Sequence, residues 1–321
     1  MTDTKPPVLG TGGFSVAPST GPEANASRDR RYVEIPCNML ARELAAVCCG
    51  RWTEAPGSYR CSSPFGSEAV VHGPDAAVIV RSLSALGPKA LQVFAVAIEL
   101  WREETSGRDA EVAVHESVGR IAGRLDGLGA GKGSPRLHSE VGKALDALGS
   151  ITFTSAPRSA RFGGSRPGSP LVVSEHGASS EGNPVVYCPG APWARELTGR
   201  SPRVAVLPRS FLALHAKNER YKILISWYLA IMLRVNRKYG WHYRVTLKTL
   251  LQGAGIDIPR RNVSRFLAAI YRSLVELPGI GFSGPPLTLY SGPEILASRF
   301  DFWAEPELLL ACCDRRGPHA V

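Results

Sequence analysis

The sequence predicts a mainly helical α+β chain in which one order of elements occurs twice behind a flexible N-terminal tail. Two observations carry that reading. Between Gly87 and Leu277 apolar residues recur at i, i+3, i+4 and i+7 in a series of segments, the period of helices buried on one side. After each helical group the pattern turns to short strand-like runs bounded by Gly, Pro and Ser. Helix, strand, helix, helix and hairpin is the order of a winged helix, so the expected architecture is two tandem winged-helix domains.

Residues 1–30 are rich in Gly, Pro, Ser and Thr with little periodic hydrophobicity, and are expected to be a disordered tail. Residues 31–84 form a poorly defined segment, with a helix expected at Asn38 to Cys49 and a strand at Ala77 to Val80. The first winged-helix domain is expected over 85–214. It opens at Gly87-Pro88, where Pro suits the first helical position, and Leu91, Phe94, Ala95, Ile98 and Trp101 form its inner face. A strand at Glu111 to Val114 follows. Two helices come next, with inner faces Val118, Ile121, Ala122, Leu125, Leu128 and Leu137, Val141, Ala144, Leu145, Leu148. Strands are expected at Ile151 to Ser155, Pro170 to His176, Asn183 to Cys188 and Arg203 to Pro208, with Ala156 to Ser169 and Gly177 to Gly182 as wing tips.

The second domain, expected over 215–308, repeats the order. A helix runs from Lys217 to Arg237, an extended piece from His242 to Val245 and a helix from Leu247 to Gln252. After a turn at Gly253 to Pro259, a helix continues to Leu277. Strands at Ile280 to Phe282, Leu287 to Tyr290 and Arg299 to Trp303 close the unit, and 309–321 is read as a C-terminal tail.

Composition narrows the function classes. The longest apolar run, Ile223 to Leu233, is about half the roughly 20 residues a membrane span requires, so no membrane partner is expected. MTDTKPPVLGTGG has neither a basic nor a hydrophobic leader region, which points to the cytoplasm. The seven cysteines lack a disulfide framework's spacing and include no C-x-x-C pair, so no metal site is expected. GAGKGS at Gly129 to Ser134 departs from the phosphate-binding G-x-x-x-x-G-K-[ST] pattern, with Asp126 where the first Gly belongs, so no nucleotide cofactor is expected.

Charge is the informative feature. The net charge is +10, and between His215 and Glu276 twelve basic residues stand against Glu219, Asp257 and Glu276, so nearly the whole excess lies in one segment. In its last helix Val263, Phe266, Leu267, Ile270, Leu274 and Leu277 share an inner face, which leaves Arg261, Ser264, Arg265, Ala268 and Arg272 as an outer cationic stripe. Small residues between arginines let a helix approach a groove, and a major groove about 12 Å wide admits one helix. The bland alternative is that these arginines only solubilise an exposed helix. The stripe follows a helix and a Gly-containing turn and precedes wing-like strands, so the segment from Tyr243 to Arg272 reads as a helix-turn-helix for duplex DNA. Lys248, Thr249 and Arg244 are added as contacts from the elements before it. In the first unit Arg136 and Lys143 are balanced by Glu140 and Asp146, and Arg120 and Arg124 on the preceding helix are candidates for phosphate contact. The carboxylates are scattered and Tyr271 lies within a packed helix, so no catalysis is expected.

FLALHAKNERYKILISWYLAIMLRVNRKYGWHYRVTLKTLLQGAGIDIP, followed by RRNVSRFLAAIYRSLVEL, resembles the C-terminal winged helix of plasmid replication initiator proteins. There a strand ending in V-x-L-P leads into a long helix, and a helix like LKTLLQGAGI precedes the recognition helix. Over Leu83 to Glu305 the two-unit layout is similar to their tandem winged helices. The resemblance implies sequence-specific binding to repeated origin sites, opening of the duplex, recruitment of host replication proteins and a homodimer through the first winged helix. It places Arg260, Arg261, Asn262, Ser264 and Arg265 at the start of the recognition helix. The insertion at Ala156 to Gly182 and the stretch before Leu83 depart from the family pattern. A transcriptional regulator occupying an operator is the alternative.

Overall fold

A computed structural model describes residues 31–37, 41, 44–45, 59–63, 66–72, 76–82, 87–105, 114–126, 134–149, 152–157, 169–170, 172–175, 184–189, 204–285 and 293–313. The expected tail at 1–30, the tips of both expected wings in the first unit and the expected strand at Leu287 to Tyr290 lie outside them. The described residues fall in one compact unit, Arg31 to Val321.

Two helices buried on nearly all sides organise that unit. The first, α1 (Lys89–Thr105), buries Leu91, Phe94, Ala95, Ile98 and Trp101 as its spacing requires, and also Val93, Val96 and Leu100 on its other sides. It packs against β1 (Tyr32–Pro36), α2 (Val118–Asp126) and α3 (Pro135–Gly149). The inner face of α3 is the one its sequence spacing gives: Leu137, Val141, Ala144, Leu145 and Leu148 are all buried. The second central helix lies in the C-terminal half and is described below.

The N-terminal segment that the sequence leaves poorly defined is bound to the rest by strand pairing. β1 runs antiparallel to β10 (Val204–Pro208), with Tyr32 opposite Pro208. β2 (Tyr59–Ser63), β3 (Gly66–His72) and β4 (Ala76–Ser82) form a five-stranded sheet with β6 (Thr152–Pro157) and β7 (Ser169–Pro170), in the order β2-β3-β4-β6-β7. This corrects the sequence reading of the first hairpin. The strand at Ile151 to Ser155 pairs with β4 as well as with the short β7, so it is an interior strand of this sheet and not the first arm of a separate hairpin. Period-two alternation specifies a strand but not its partner.

β5 (Val114–Ser117), which starts at the end of the expected strand, pairs with β9 (Pro184–Pro189), and β9 with β8 (Val172–Glu175). The sheet order is β5-β9-β8. In the C-terminal half β11 (His242–Thr246), β12 (Ile280–Ser283) and β13 (Arg299–Ala304) adopt the corresponding order β11-β13-β12, all antiparallel. One three-stranded topology therefore occurs twice, each time with two helices between its first strand and its hairpin.

The halves share one core. A short helix α4 (Ser210–Ala213) follows β10, and the second central helix, α5 (Arg220–Val235), is buried from Lys222 to Ile231. Phe211 and Phe94 lie 6.3 and 6.2 Å from Trp227 on α5, and the Trp227 indole donates to the Ala41 carbonyl at 2.6 Å. Gln92 of α1, fully buried, donates its side-chain amide to the carbonyls of Phe211, Leu212 and Leu214 at 2.9, 3.2 and 2.9 Å. These carbonyls lie at the end of a one-turn helix, where the Phe211 carbonyl also accepts the Leu214 amide at 3.4 Å. The last described element is α8 (Pro306–Cys313), so 309–313, expected as tail, is helical, and Leu308 on the same helix is buried. No helix among the described residues is long and apolar enough to cross a membrane.

Candidate nucleic-acid interface

The basic segment folds around β11, α6 (Leu247–Gly253) and α7 (Val263–Val275). Thr246 caps α6, its Oγ1 accepting the Thr249 amide at 3.2 Å, while the Leu247 amide donates to the Ser298 carbonyl at 3.1 Å. Two of the first α6 amides are thus engaged within the protein. Lys248 and Thr249 are both exposed in that turn.

α6 ends in a Schellman arrangement: the Gly255 amide donates to the Gln252 carbonyl at 3.0 Å and the Ile256 amide to the Leu251 carbonyl at 2.8 Å. Gly255 holds φ at 70°, a left-handed conformation that glycine adopts without steric cost. Gly253 has a different role. A Cβ there would stand 2.4 Å from the ring of buried Tyr228 on α5, so the missing side chain lets α6 lie against that helix.

α7 buries Phe266, Leu267, Ile270 and Leu274 and leaves Arg265 and Arg272 exposed, with Ala268 half-buried between them and Ser264 half-buried before Arg265. Tyr221 of α5 meets Phe266 edge-on at 5.7 Å and fixes the helix from below. One part of the stripe needs correction. Asn262 precedes α7 at φ 58°, in the left-handed region, so the helical phase starts after it. Arg260 and Arg261 therefore sit on the turn before the helix, not on its face, and are exposed there. Asn262 is also exposed and its side chain caps no amide of α7.

Among the described residues no carboxylate forms an ion pair with Arg260, Arg261, Arg265, Arg272 or Lys248. Of the three acidic residues in this segment, Glu219 and Glu276 both bind one ammonium, that of Lys222, at 2.7 and 2.6 Å. Burial alone would depress Lys222, but these hydrogen bonds outweigh it and raise its pKa above the usual lysine value. The same bond from Lys222, joined by one from the His215 amide, holds Glu219 below the usual carboxylate range. Two of the three acids of the segment are in this way engaged by Lys222.

The remaining candidates are placed differently. Arg244 projects from the outer face of the β11-β13-β12 sheet and donates through Nε and Nη2 to both oxygens of Asp301, at 2.6 and 3.0 Å. That pair holds the Asp301 carboxyl below its usual range. Arg120 donates to Glu104 at 3.1 Å, and Arg124 to Glu103 at 2.7 Å and Glu99 at 3.4 Å, all on α1. Arg136 is paired with Glu140 one turn on, at 3.1 Å. Exposed Lys143 lines a cavity of about 670 Å³ with Lys89, Arg136, Glu140 and His215, and burial lowers the pKa of Lys89 there. The structure thus gathers Lys248, Thr249, Arg260, Arg261, Asn262, Ser264, Arg265 and Arg272 on two consecutive helices and their turn. It leaves Arg244, Arg120, Arg124, Arg136 and Lys143 elsewhere.

Sequence reasoning passed over the outer face of the C-terminal sheet. Strand register sets His242 opposite Trp303, Arg244 opposite Asp301 and Thr246 opposite Arg299 on that face. The alternation of β13, with Phe300, Phe302 and Ala304 buried, is the signal that could have found it.

The fold is α+β, with helices packed among small antiparallel sheets. It is similar to two crystal structures of domains 2 and 3 of RctB. One has a TM-score of 0.51 at 12% identity, covering 82% of this chain and 97% of that one. The other has a TM-score of 0.52 at 14% identity, covering 83% and 99%. At these identities the likeness is one of fold. No family model matches the chain, and no curated protein does.

Proposed function

We propose that this chain binds specific duplex DNA sequences through α7, with the units around β5-β9-β8 and β11-β13-β12 acting as tandem winged helices. The observation that carries the reading is the group of exposed arginines, Arg260, Arg261, Arg265 and Arg272, with which no carboxylate among the described residues forms an ion pair while Lys222 engages Glu219 and Glu276. Arg265 and Arg272, separated by small residues, face the groove. Arg260 and Arg261 flank the start of α7, where the Asn262 side chain caps no amide, and a phosphate is the ligand such a terminus favours. The biological role proposed is plasmid replication initiation at repeated origin sites, as a binding protein without a catalytic cycle. It involves a homodimer through the first unit and host replication proteins. The fold shared with domains of RctB, a replication initiator, supports that role.

The test is a binding-site selection with the full chain, followed by anisotropy titrations of the selected duplex across a salt series. Arg261→Ala with Arg265→Ala should weaken binding and flatten the log–log salt dependence by about one unit per phosphate contact removed. Affinity and slope equal to those of the parent would refute the interface. Direct repeats in the selected sites favour initiation, and a single palindrome favours a regulator at an operator.

A further inference from the structure

We propose that the outer face of the β11-β13-β12 sheet, with the bend leading into it, is a second nucleic-acid surface that takes single-stranded DNA by stacking unpaired bases on Tyr239, His242 and Trp303. It goes beyond the duplex reading and uses none of the arginines around α7.

Three features converge there. The first is aromatic. Tyr239, in the 3₁₀ turn Arg237–Tyr239, is 63% exposed, among the largest exposures of any apolar side chain described. Left-handed Gly240, at φ 73°, turns the chain into β11, and a Cβ on Gly240 would meet the His242 ring at 3.8 Å. Exposed His242 stacks on Trp303 across the strands, with ring centroids 6.1 Å apart and planes 29° from parallel. His242 and Trp303 thus form a stacked pair on the solvent side of the sheet, and Tyr239 stands exposed on the turn three residues before His242.

The second is a glycine that serves the platform. Gly281 lies opposite Trp303 on β12, and a Cβ built on it would stand 2.3 Å from the indole nitrogen. The indole rests on bare backbone and is laid across the sheet face in place of standing up from it. Glycine within a strand weakens the strand, and close approach by another group is the usual reason to find one.

The third is charge. Arg237 and Lys238 share the turn of Tyr239, with the Lys238 ammonium 4.9 Å from its ring centre, and Arg244 and Arg299 lie farther along the same sheet face. The acid on this sheet face is Asp301, which Arg244 already binds through two hydrogen bonds. The face is cationic with its carboxylate compensated, so a polyanion fits it. In a duplex the base faces are hidden by stacking, whereas a single strand offers them. Exposed rings within a cationic surface therefore select the unpaired form.

The experiment uses the full chain and three fluorescent probes: the duplex site, an oligothymidylate of about twenty nucleotides, and an abasic oligomer of equal length and charge. The parent should bind oligothymidylate more tightly than the abasic oligomer. Tyr239→Ala and His242→Ala should each weaken oligothymidylate binding by roughly 5- to 100-fold and erase the preference over the abasic strand, leaving duplex affinity and circular dichroism unchanged. Tyr239 is so exposed that its replacement leaves folding intact, so the test does not depend on Trp303→Ala, which removes packing over Gly281. Arg261→Ala with Arg265→Ala should do the reverse, losing the duplex and keeping the single strand. Equal affinity of the parent for both oligomers, unchanged oligothymidylate binding in the two ring variants, or parallel loss of duplex and single strand would each overturn the proposal. Duplex binding left unchanged by Arg261→Ala with Arg265→Ala sinks the α7 reading and not this one.

Discussion

Gln92→Glu should make the protein's stability fall as pH rises through the range where its other carboxylates are already ionised. The fully buried Gln92 amide donates to three carbonyl oxygens and has two hydrogens to share among them. Its own carbonyl oxygen, Oε1, is buried without a partner. Replacing the amide by carboxylate sets two acceptors against three, and the substituted glutamate can serve a carbonyl only when protonated. Its folded pKa must rise above the unfolded value of about 4.3, so its contribution is present below that value and is lost as pH climbs through the folded pKa. At neutral pH the loss should reach about 3–5 kcal/mol, the scale of an uncompensated buried charge. Gln92→Met removes the hydrogen bonds and also the orphaned oxygen, and should cost less, about 1–3 kcal/mol. Urea unfolding followed by tryptophan fluorescence reads both, since Trp227 lies 6.3 Å from Phe211 in the same core. A Gln92→Glu protein as stable at pH 7 as at pH 5, or less stable at pH 5, would show that the side chain does not bind this turn.

Two further pairs of substitutions test the packing beneath the interface. Gly253→Ala drives a methyl group into Tyr228 and should cost about 1–3 kcal/mol, whereas Gly142→Ala on α3, where an added Cβ meets nothing within 4 Å, should gain about 0.5–1 kcal/mol. Thermal unfolding should move the two midpoints in opposite directions. Lys222→Met should be nearly neutral, because Glu219 and Glu276 keep their access to water. Changing both glutamates to Gln removes the counter-charges while keeping oxygens that can accept from the ammonium, and denaturant unfolding should then report a loss of about 1.5–3 kcal/mol. Because the folded pKa of Glu219 is depressed, its stabilisation is present above the ordinary glutamate pKa and should disappear as pH falls through the lower folded value.

Helices were the legible part of this chain, because each buries a stripe whose spacing is written locally. Every inner-face residue assigned to α1 and α3 is buried, and so are Phe266, Leu267, Ile270, Leu274 and Leu277 around α7. Strand partners were not legible. β6 alternates as a wing strand would, yet it pairs with β4, some seventy residues earlier in the chain. β1 pairs with β10 across a still longer separation, which no local pattern encodes. At the site, the sequence located the basic segment but could not tell a committed arginine from an available one. Helical phase also failed at Asn262, whose left-handed backbone places Arg261 outside the helix to which spacing had assigned it.

That distinction between committed and available cations separates the two topologically matching units. In the first, Arg120 and Arg124 reach back to Glu104, Glu103 and Glu99 of α1, and Arg209 joins Glu99 at 2.8 Å, so the cations tie α2 and the end of β10 to the central helix. A phosphate would have to compete with carboxylates already in place. In the second, Lys222 holds two acids at the base of α7, and Arg260, Arg261, Arg265 and Arg272 stand exposed beyond them. Such exposed cations retain their hydration and counterions, which a polyanion can displace with a gain in entropy. The net charge of each unit would suggest only a difference of degree. The pairing pattern makes it a difference of kind, with Arg120, Arg124 and Arg209 tying the first unit to its central helix and Arg260, Arg261, Arg265 and Arg272 of the second exposed without such ion pairs.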